Sequence, residues 1–477
     1  MYNTGLHFHF IGIGGSGMSG LAEILLTSGY KVSGSDVKGG DVVRRLEQLG
    51  AQVFIGHAAA NLPESASLVV YSSAIVSTNP EVREARRRRI PIVRRAEVLA
   101  ELMRLKFGVG VAGSHGKTTT TSMCSVILDA AKLDPTVVIG GQVKSLGTGG
   151  RLGKGDFLVA ETDESDRSFL LLKPTVAIVT NIDDEHMNSY RSRKDLEESF
   201  NRFVQSVPFY GLAILCIDDP VVRRIASECK RRVVTYGFSE DADLRGVDIE
   251  GASDGMSFSV VWRGEDLGRF QLPMWGRHLV QNSLAAIAVA LEFKVDRDVI
   301  RQALASFAGV KRRLEIIGEA RGVSVMSDYG HHPTEIRATL RAIRECRPQG
   351  EGRVVTLFQP HRYSRTQMCW DEYLSAFAEA DLVCLTDIYG ASEKPIEGVS
   401  GESLCVALRH PNKEYVGSLE RALEVLVPNL REGDFVVCLG AGSIGAIPER
   451  LLGALSADSK QIIVPETEIP IISAAGA

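Results

Sequence analysis

The stretch Gly108-Val109-Gly110-Val111-Ala112-Gly113-Ser114-His115-Gly116-Lys117-Thr118-Thr119-Thr120 runs from a short apolar strand through a glycine-bracketed loop into a helix carrying Met123, Val126, Ile127 and Ala130. A triphosphate needs backbone N–H groups that close around it without interference from side chains, which is what glycines allow. It also needs a helix N-terminus, a lysine for the outer phosphate oxygens and a hydroxyl for Mg²⁺. Gly113, Ser114, His115, Gly116, Lys117, Thr118 and Thr119 supply all four. The usual loop places a glycine five positions before its Gly-Lys pair, and Val111 stands there, so this loop is short. A chance Gly-Lys-Thr is the competing reading, and the strand–loop–helix context speaks against it.

Strands and helices alternate on both sides of this loop. Before it, strands are expected at His7 to Ile13, Tyr30 to Gly34, Gln52 to Ile55, Leu68 to Ser72 and Ile90 to Val93. Asn79-Pro80 opens a helix between the last two, a capping residue followed by proline at the first helical position. Such alternation predicts a parallel, doubly wound sheet. After the loop, Phe107 to Ala112, Phe157 to Glu161, Val176 to Asn181 and Ala213 to Ile217 form a second sheet. Between Asp241 and Met274 helical periodicity disappears, and runs such as Ser257-Phe258-Ser259-Val260-Val261-Trp262, turned at Arg263-Gly264, predict an antiparallel meander. Two helices follow, Leu279 to Phe293 and Asp298 to Phe307. A third α/β set has strands at Val323 to Met326, Val354 to Phe358, Leu382 to Thr386 and Phe435 to Leu439.

The chain is therefore α/β with three domains: an N-terminal Rossmann-like domain, a central P-loop ATPase domain with an added antiparallel β part, and a C-terminal Rossmann-like domain. Their expected limits are 1–104, 105–309 and 310–457, with 458–477 a flexible tail. Length agrees, since 477 residues at about 150 per domain make roughly three.

Hydrophobic residues at 44% and charged residues at 24% describe a soluble globular chain. A net charge of -5 offers no basic field for nucleic acid. The run Arg86 to Arg89 reads as a solvated helix end, because no aromatic platform accompanies it. The eight cysteines form no CxxC pair or zinc-like spacing and read as small buried residues in a reducing compartment. No secretory leader or membrane-length apolar run is visible, so a cytoplasmic protein is expected.

Gly12-Ile13-Gly14-Gly15-Ser16-Gly17 satisfies GxGxxG after a strand, and Ser35-Asp36 follows at the end of the next strand. Alone, this suggests an NAD-dependent oxidoreductase. The same backbone chemistry cradles any pyrophosphate, including that of a UDP-sugar. Glu161 ends one strand of the second sheet and opens the acidic run Glu161-Thr162-Asp163-Glu164-Ser165-Asp166. Asn181-Ile182-Asp183-Asp184-Glu185-His186 ends another. An acid cluster and a histidine sharing a sheet edge with a P-loop favour Mg²⁺ ligation, although histidine is unusual for that ion. In the third segment, Ser327 to Glu335 and Gln359 to Thr366 form two polar clusters at strand ends. His361, Arg362 and Arg365 among them suit a carboxylate, and a basic helix-capping surface is the competing reading.

In this order, these pieces resemble the Mur ligase family, and within it the alanine-adding branch. The likeness spans nearly the whole chain, including Ser72-Ser73-Ala74-Ile75, Arg95 to Met103, Gly276-Arg277-His278, Arg312-Arg313 and Asp387 to Pro395. The resemblance implies an ATP-dependent amide ligase of cell-wall precursor synthesis that joins L-alanine to UDP-N-acetylmuramate, with no nucleic-acid or membrane partner, acting as a monomer or weak homodimer. It also implies roles. Gly14, Ser16, Gly17, Met18, Ser35, Asp36, Ser72 and Ser73 would hold the UDP-sugar in place of NAD. ATP would lie on Gly113 to Thr119 with Lys117 on the γ-phosphate, its adenine near Asn282, with Arg313 and Asp328 also contributing. Thr118 and Glu161 would hold one Mg²⁺ and His186 the second, making Lys117, Glu161 and His186 the catalytic set. L-alanine would meet Tyr329, His331, His361, Arg362 and Arg365. Relatives usually carry asparagine where Leu279 stands, an acid where Ser327 stands and aspartate where Glu185 stands.

Three substrates brought by three domains imply closure on ATP binding, which scattering would detect as compaction. The competing classes are a tripeptide-recycling ligase of the same family, an oxidoreductase that would leave the P-loop idle, and a nucleotide switch whose turnover ignores L-alanine.

Overall fold

The structure is a computed structural model describing residues 5–15, 17–72, 74–140, 150–347 and 352–458. Ser16, Ser73 and, apart from Asp458 at the end of the last helix, the expected tail lie outside the described residues. The chain separates into two compact units, Met1–Lys311 and Arg312–Ala477.

The first unit holds two sheets. Its N-terminal sheet is wholly parallel, with β1 (His7–Ile11), β2 (Lys31–Asp36), β3 (Gln52–Ile55), β4 (Leu68–Tyr71) and β5 (Ile92–Arg94) in the order β3-β2-β1-β4-β5. The order reverses beside β1, and the loop after β1 is the GxGxxG loop, where such folds place ligands. The helices between strands are α1 (Met18–Thr27), α2 (Asp41–Gln48), α3 (Pro80–Arg87) and α4 (Arg95–Arg104). Asn79 caps α3 as expected, its side chain accepting from the amides of Glu81 and Val82. The arginine run closes that helix: Arg87 pairs with Glu84, and Arg88 donates to the carbonyls of Leu62, Pro63 and Glu64.

The central sheet has ten strands: β6 (Phe107–Ala112), β7 (Thr136–Val138), β8 (Gly150–Arg151), β9 (Phe157–Glu161), β10 (Val176–Val179), β11 (Leu212–Cys216), β12 (Val233–Gly237), β13 (Leu244–Ala252), β14 (Gly255–Trp262) and β15 (Glu265–Leu272). Helix α5 (Lys117–Ala130) follows β6. The order β15-β14-β13-β12-β11-β10-β6-β9-β7-β8 sets β6 between β10 and β9, so three strand ends open together around the P-loop. Val111 is part of β6, which explains the short loop: the strand continues where the longer motif would already have turned. The expected meander is present as β13, β14 and β15, antiparallel to one another. Packing beneath the P-loop is apolar, with Phe169, Phe200, Phe203, Val179 and Leu215 in one buried cluster.

The second unit contains β16 (Glu315–Ala320), β17 (Val323–Asp328), β18 (Val354–Phe358), β19 (Leu382–Thr386), β20 (Lys413–Gly417) and β21 (Phe435–Leu439) in the order β16-β17-β21-β18-β19-β20. All neighbours are parallel except the edge pair β16–β17. All eight cysteines are free thiols, and seven are buried. Among the described residues no helix is long and apolar enough to cross a membrane.

Candidate functional site

Gly116 caps α5 in the left-handed region, at φ 82°, which turns the chain sharply enough to aim the first turn of the helix at the end of β6. Lys117, Thr118 and Thr119 are that first turn, whose N–H groups have no partner within the helix. The loop is braced from β10. Ser114 N–H donates to Asn181 O at 3.0 Å and His115 N–H to Asn181 Oδ1 at 2.8 Å. Thr180 Oγ1 donates to His115 O at 2.6 Å, and the His115 ring meets Asp183 at 3.0 Å. Asn282, buried on the helix Arg277–Glu292, lies against the Gly116 turn.

Lys117 Nζ donates to Gly113 O at 2.6 Å, Ser114 O at 3.0 Å and Glu164 Oε1 at 2.8 Å. Burial opposes its charge, but Glu164, Glu185 and Glu161 outweigh that and raise the ammonium above its ordinary range, so it is charged. Burial, with Asp163 and Glu185 alongside, pushes Glu164 up to about 7 although Lys117 pulls it down.

Two groups of side chains could hold cations. Thr118 Oγ1 lies 3.0 and 3.1 Å from the two Glu161 carboxylate oxygens, an all-oxygen pair suited to a hard ion. Glu164, Glu185 and His186 each turn one ligand atom into a space where all lie within 4.8 Å of one another. Glu164 Oε1 lies 4.0 Å from His186 Nε2, and Glu164 Oε2 is a buried acceptor without a hydrogen-bond partner, which is the kind of atom a cation satisfies. His186 holds a left-handed backbone at φ 57°, an uncommon conformation for a residue of its kind and one often found at working sites. The expected catalytic set is thus brought together, and Glu164 and Glu185 join it. Both stand in polar runs of the sequence, which do not by themselves say which acids turn inward.

In the N-terminal sheet, Gly14 N–H donates to Asp36 Oδ2 at 2.9 Å, so the acid at the end of β2 braces the GxGxxG loop. Gly17 faces the Arg95 guanidinium, and Ser72 Oγ lies near Gly12. Two of the expected residues turn their side chains into the fold. Met18 packs into the core with Phe8 and Phe10, and its N–H is taken by Gly15 O. Ser35 is fully buried, its hydroxyl donating to Glu81 Oε2 at 2.7 Å and meeting His57 at 2.9 Å. A residue that begins a helix or ends a strand can point either way, and packing decided both.

In the second unit, the ends of β17 and β18 bring Tyr329, His331 and His361 into successive ring contact at 5.5 and 5.9 Å. Tyr389, which sequence reading missed, stacks on His361 at 5.6 Å. Arg365, buried on its helix, donates to His361 Nδ1 at 3.0 Å. Burial, with Arg365, His331 and Arg362 beside it, pulls His361 down to about 3, so its ring is neutral and can accept that bond. Arg362 is exposed at φ 70° and its side chain meets Glu393 at 3.8 Å. Arg313 lies over Tyr329 at 5.1 Å. Both Asp328 oxygens accept backbone N–H groups, from Leu314 at 2.6 Å and Gly330 at 2.7 Å, so this acid fixes the turn that carries Arg313. Burial raises its pKa against those bonds and Arg313. The three positions that depart from the resemblance, Leu279, Ser327 and Glu185, are all buried.

Residues 7–107 match the Mur ligase family catalytic domain, 111–290 the Mur ligase middle domain and 312–442 the Mur ligase glutamate ligase domain. The chain is 52% identical to a UDP-N-acetylmuramate–L-alanine ligase of Solibacter usitatus, over 95% of this chain and 96% of that protein. It is 49% identical to the enzyme of the same name from a Geobacter species, over 96% and 99%. The solved UDP-N-acetylmuramate-alanine ligase of Thermotoga maritima superposes with TM-score 0.82 at 27% identity, covering 95% of this chain and all (100%) of that one. A murein peptide ligase of Psychrobacter arcticus, at 24% identity and TM-score 0.71 over 94% and 99%, shares the fold. With all three domains matched in order and half of the residues identical over nearly the full length, the chain belongs to the Mur ligase family.

Proposed function

We propose that the chain ligates L-alanine to the lactyl carboxylate of UDP-N-acetylmuramate at the expense of ATP, giving UDP-N-acetylmuramoyl-L-alanine, ADP and phosphate in the cytoplasm. The observation that carries the reading is the gathering of Lys117, the Thr118–Glu161 pair and the Glu164–Glu185–His186 group at the ends of β6, β9 and β10. Relatives named for this reaction over their whole length support it.

A carboxylate is a poor electrophile, so the sugar acid must first be activated. Its oxygen attacks the γ-phosphorus in line, the bond to the β–γ bridging oxygen breaks, and ADP leaves. The amine of L-alanine then adds to the acyl phosphate carbon, and the tetrahedral intermediate expels inorganic phosphate and a proton. Several anions meet in the first step, and Lys117 is the protein's fixed positive charge there. Its buried, strongly charged state suits that task. The first turn of α5 adds N–H donors for the phosphates. Thr118 with Glu161, and His186 with Glu164 and Glu185, would hold two Mg²⁺ ions, which when bound neutralise phosphate charge. Gly14, Gly17 and Ser72 are assigned to the UDP-sugar, and Asp36 supports that loop. Tyr329, His331, His361 and Arg365 are assigned to L-alanine, with Arg365 for its carboxylate. The domain limits 1–104, 105–309 and 310–457 go with these roles.

The test is phosphate release with UDP-N-acetylmuramate and each amino acid in turn, with a tripeptide for comparison. Release that follows L-alanine supports the reading. Release indifferent to the amine, or favouring the tripeptide, overturns it. Label placed as oxygen-18 in the sugar carboxylate must appear in the phosphate.

A further inference from the structure

The ammonium of Lys117 has three protons and spends them on three acceptors, Gly113 O, Ser114 O and Glu164 Oε1. An arriving γ-phosphate must therefore displace one of them. The two carbonyls belong to the loop and stay where the loop is. Glu164 is the partner that can turn, since its carboxylate already borders the space shared with Glu185 and His186, Oε1 lying 4.0 Å from His186 Nε2, and its second oxygen is buried without a hydrogen-bond partner. Its backbone cannot follow, because Glu164 O is held by the Tyr190 hydroxyl at 2.6 Å and by Arg167 N–H at 3.1 Å. The carboxylate thus stands between two claims, the lysine it bonds and the space beside His186 that it borders, and side-chain rotation alone can favour either.

We propose that Glu164 is a two-position clamp: it holds Lys117 in the nucleotide-free protein and swings to a cation at Glu185 and His186 when the γ-phosphate takes the lysine. Occupation of the two sites is then coupled. A cation beside His186 draws Glu164 away and frees the lysine for nucleotide, and by linkage nucleotide tightens the cation equally. Without cation, the clamped lysine lowers apparent nucleotide affinity by the fraction of time it is unavailable. This rests on the reading of Lys117 as the phosphate lysine.

Glu164→Gln separates the two effects by sign. Affinity for ATP is measured by calorimetry in chelator, and Mn²⁺ binding by electron paramagnetic resonance with a non-hydrolysable ATP analogue. The variant should bind metal-free ATP about fivefold more tightly, the lower end of ordinary coupling, and should bind the weaker Mn²⁺ about tenfold less well. Loss of a negative charge near an anion would also tighten binding through space, so the same change is made in Lys117→Ala. There the clamp has nothing to release, and Glu164→Gln should leave metal-free ATP affinity unchanged. If Glu164→Gln does not fold, Glu164→Asp, one methylene short of the lysine, takes its place with the same signs expected. Unchanged or weakened metal-free ATP binding, or tightening that persists without Lys117, overturns the clamp. Lys117→Ala that binds ATP like the wild type overturns the loop assignment itself.

Discussion

Replacing Gly116 by alanine separates backbone strain from crowding at the P-loop. Gly116 sits at φ 82° and ψ -5°. An L-residue in this left-handed region costs about 1–2 kcal/mol, because its Cβ approaches the following carbonyl. The new methyl would also lie 2.5 Å from Asn282 Oδ1 and 3.2 Å from the rest of that amide. Asn282 is only 7% exposed and has little room to turn, so overpacking adds about 1–3 kcal/mol. The sum is about 2–5 kcal/mol. Gly29→Ala is the control, since φ there is +85° and nothing lies within 4 Å of the added methyl. It should lose only the backbone part, about 1–2 kcal/mol. Urea unfolding followed by circular dichroism gives both values, and calorimetry gives ATP affinity. Gly116→Ala should lose more stability than Gly29→Ala and should also weaken ATP, because the loop must move from the phosphate to escape Asn282. Equal stability losses, or a Gly116→Ala protein with wild-type ATP affinity, would refute the reasoning.

Lys117→Met should lower ADP formation about a thousandfold, the upper range for removing a charge-stabilising donor, while the circular dichroism spectrum stays native. Near-normal turnover would remove Lys117 from the chemistry. Thr118→Val should raise the Mg²⁺ concentration for half-maximal turnover about tenfold, and an unchanged Mg²⁺ dependence would detach that hydroxyl from the ion. Arg365→Lys should raise KM for L-alanine about tenfold or more, because one ammonium cannot bond His361 and grip a carboxylate bidentately; a change confined to kcat would contradict this. Acid should destabilise the fold through His7, which burial, with Lys31 and His9 nearby, pulls down to about 4. The unfolded histidine takes up its proton near pH 6.5 and the folded one does not, so stability is full above about 6.5 and falls as pH drops towards 4. His7→Gln should flatten that slope in urea titrations at pH 7 and 5 by an amount on the order of 1 kcal/mol, and an identical slope would exclude His7 as the source.

The sequence made the central site legible because its chemistry lies at consecutive strand ends of one parallel sheet. The residues after β9 and β10 are neighbours of the loop after β6 by topology. Strands such as β18, β19 and β21 were equally plain, being short apolar runs buried on both faces. The edge strands β16 and β20 escaped notice because an edge is half solvated, so Glu315, Glu319, Lys413 and Glu414 break the apolar signal. Direction was the other gap. The run Glu161 to Asp166 contains four acids, and composition does not say that Glu164 turns inward while Asp163 faces Arg95. Met18 and Ser35 show the same gap, one beginning a helix and the other near the end of a strand, where side chains divide between core and surface.

That division bears on the ambiguity of the GxGxxG loop, which by itself fits NAD as well as a UDP-sugar. Gly17 rests against the Arg95 guanidinium, which reaches on to Asp163 at 3.4 Å. Burial pushes Asp163 upward, but hydrogen bonds from Ser165 and the charge of Arg95 outweigh it and keep it ionised. The next residue is Glu164, the partner of Lys117. One chain of contacts therefore runs from the GxGxxG loop of the first sheet, through Arg95, to the lysine of the P-loop. Hydride transfer has no use for such a connection. The proposed ligase does: the diphosphate would anchor the sugar at one end, its carboxylate would reach the γ-phosphate at the other, and Arg95, touching both sides, would set the distance between them.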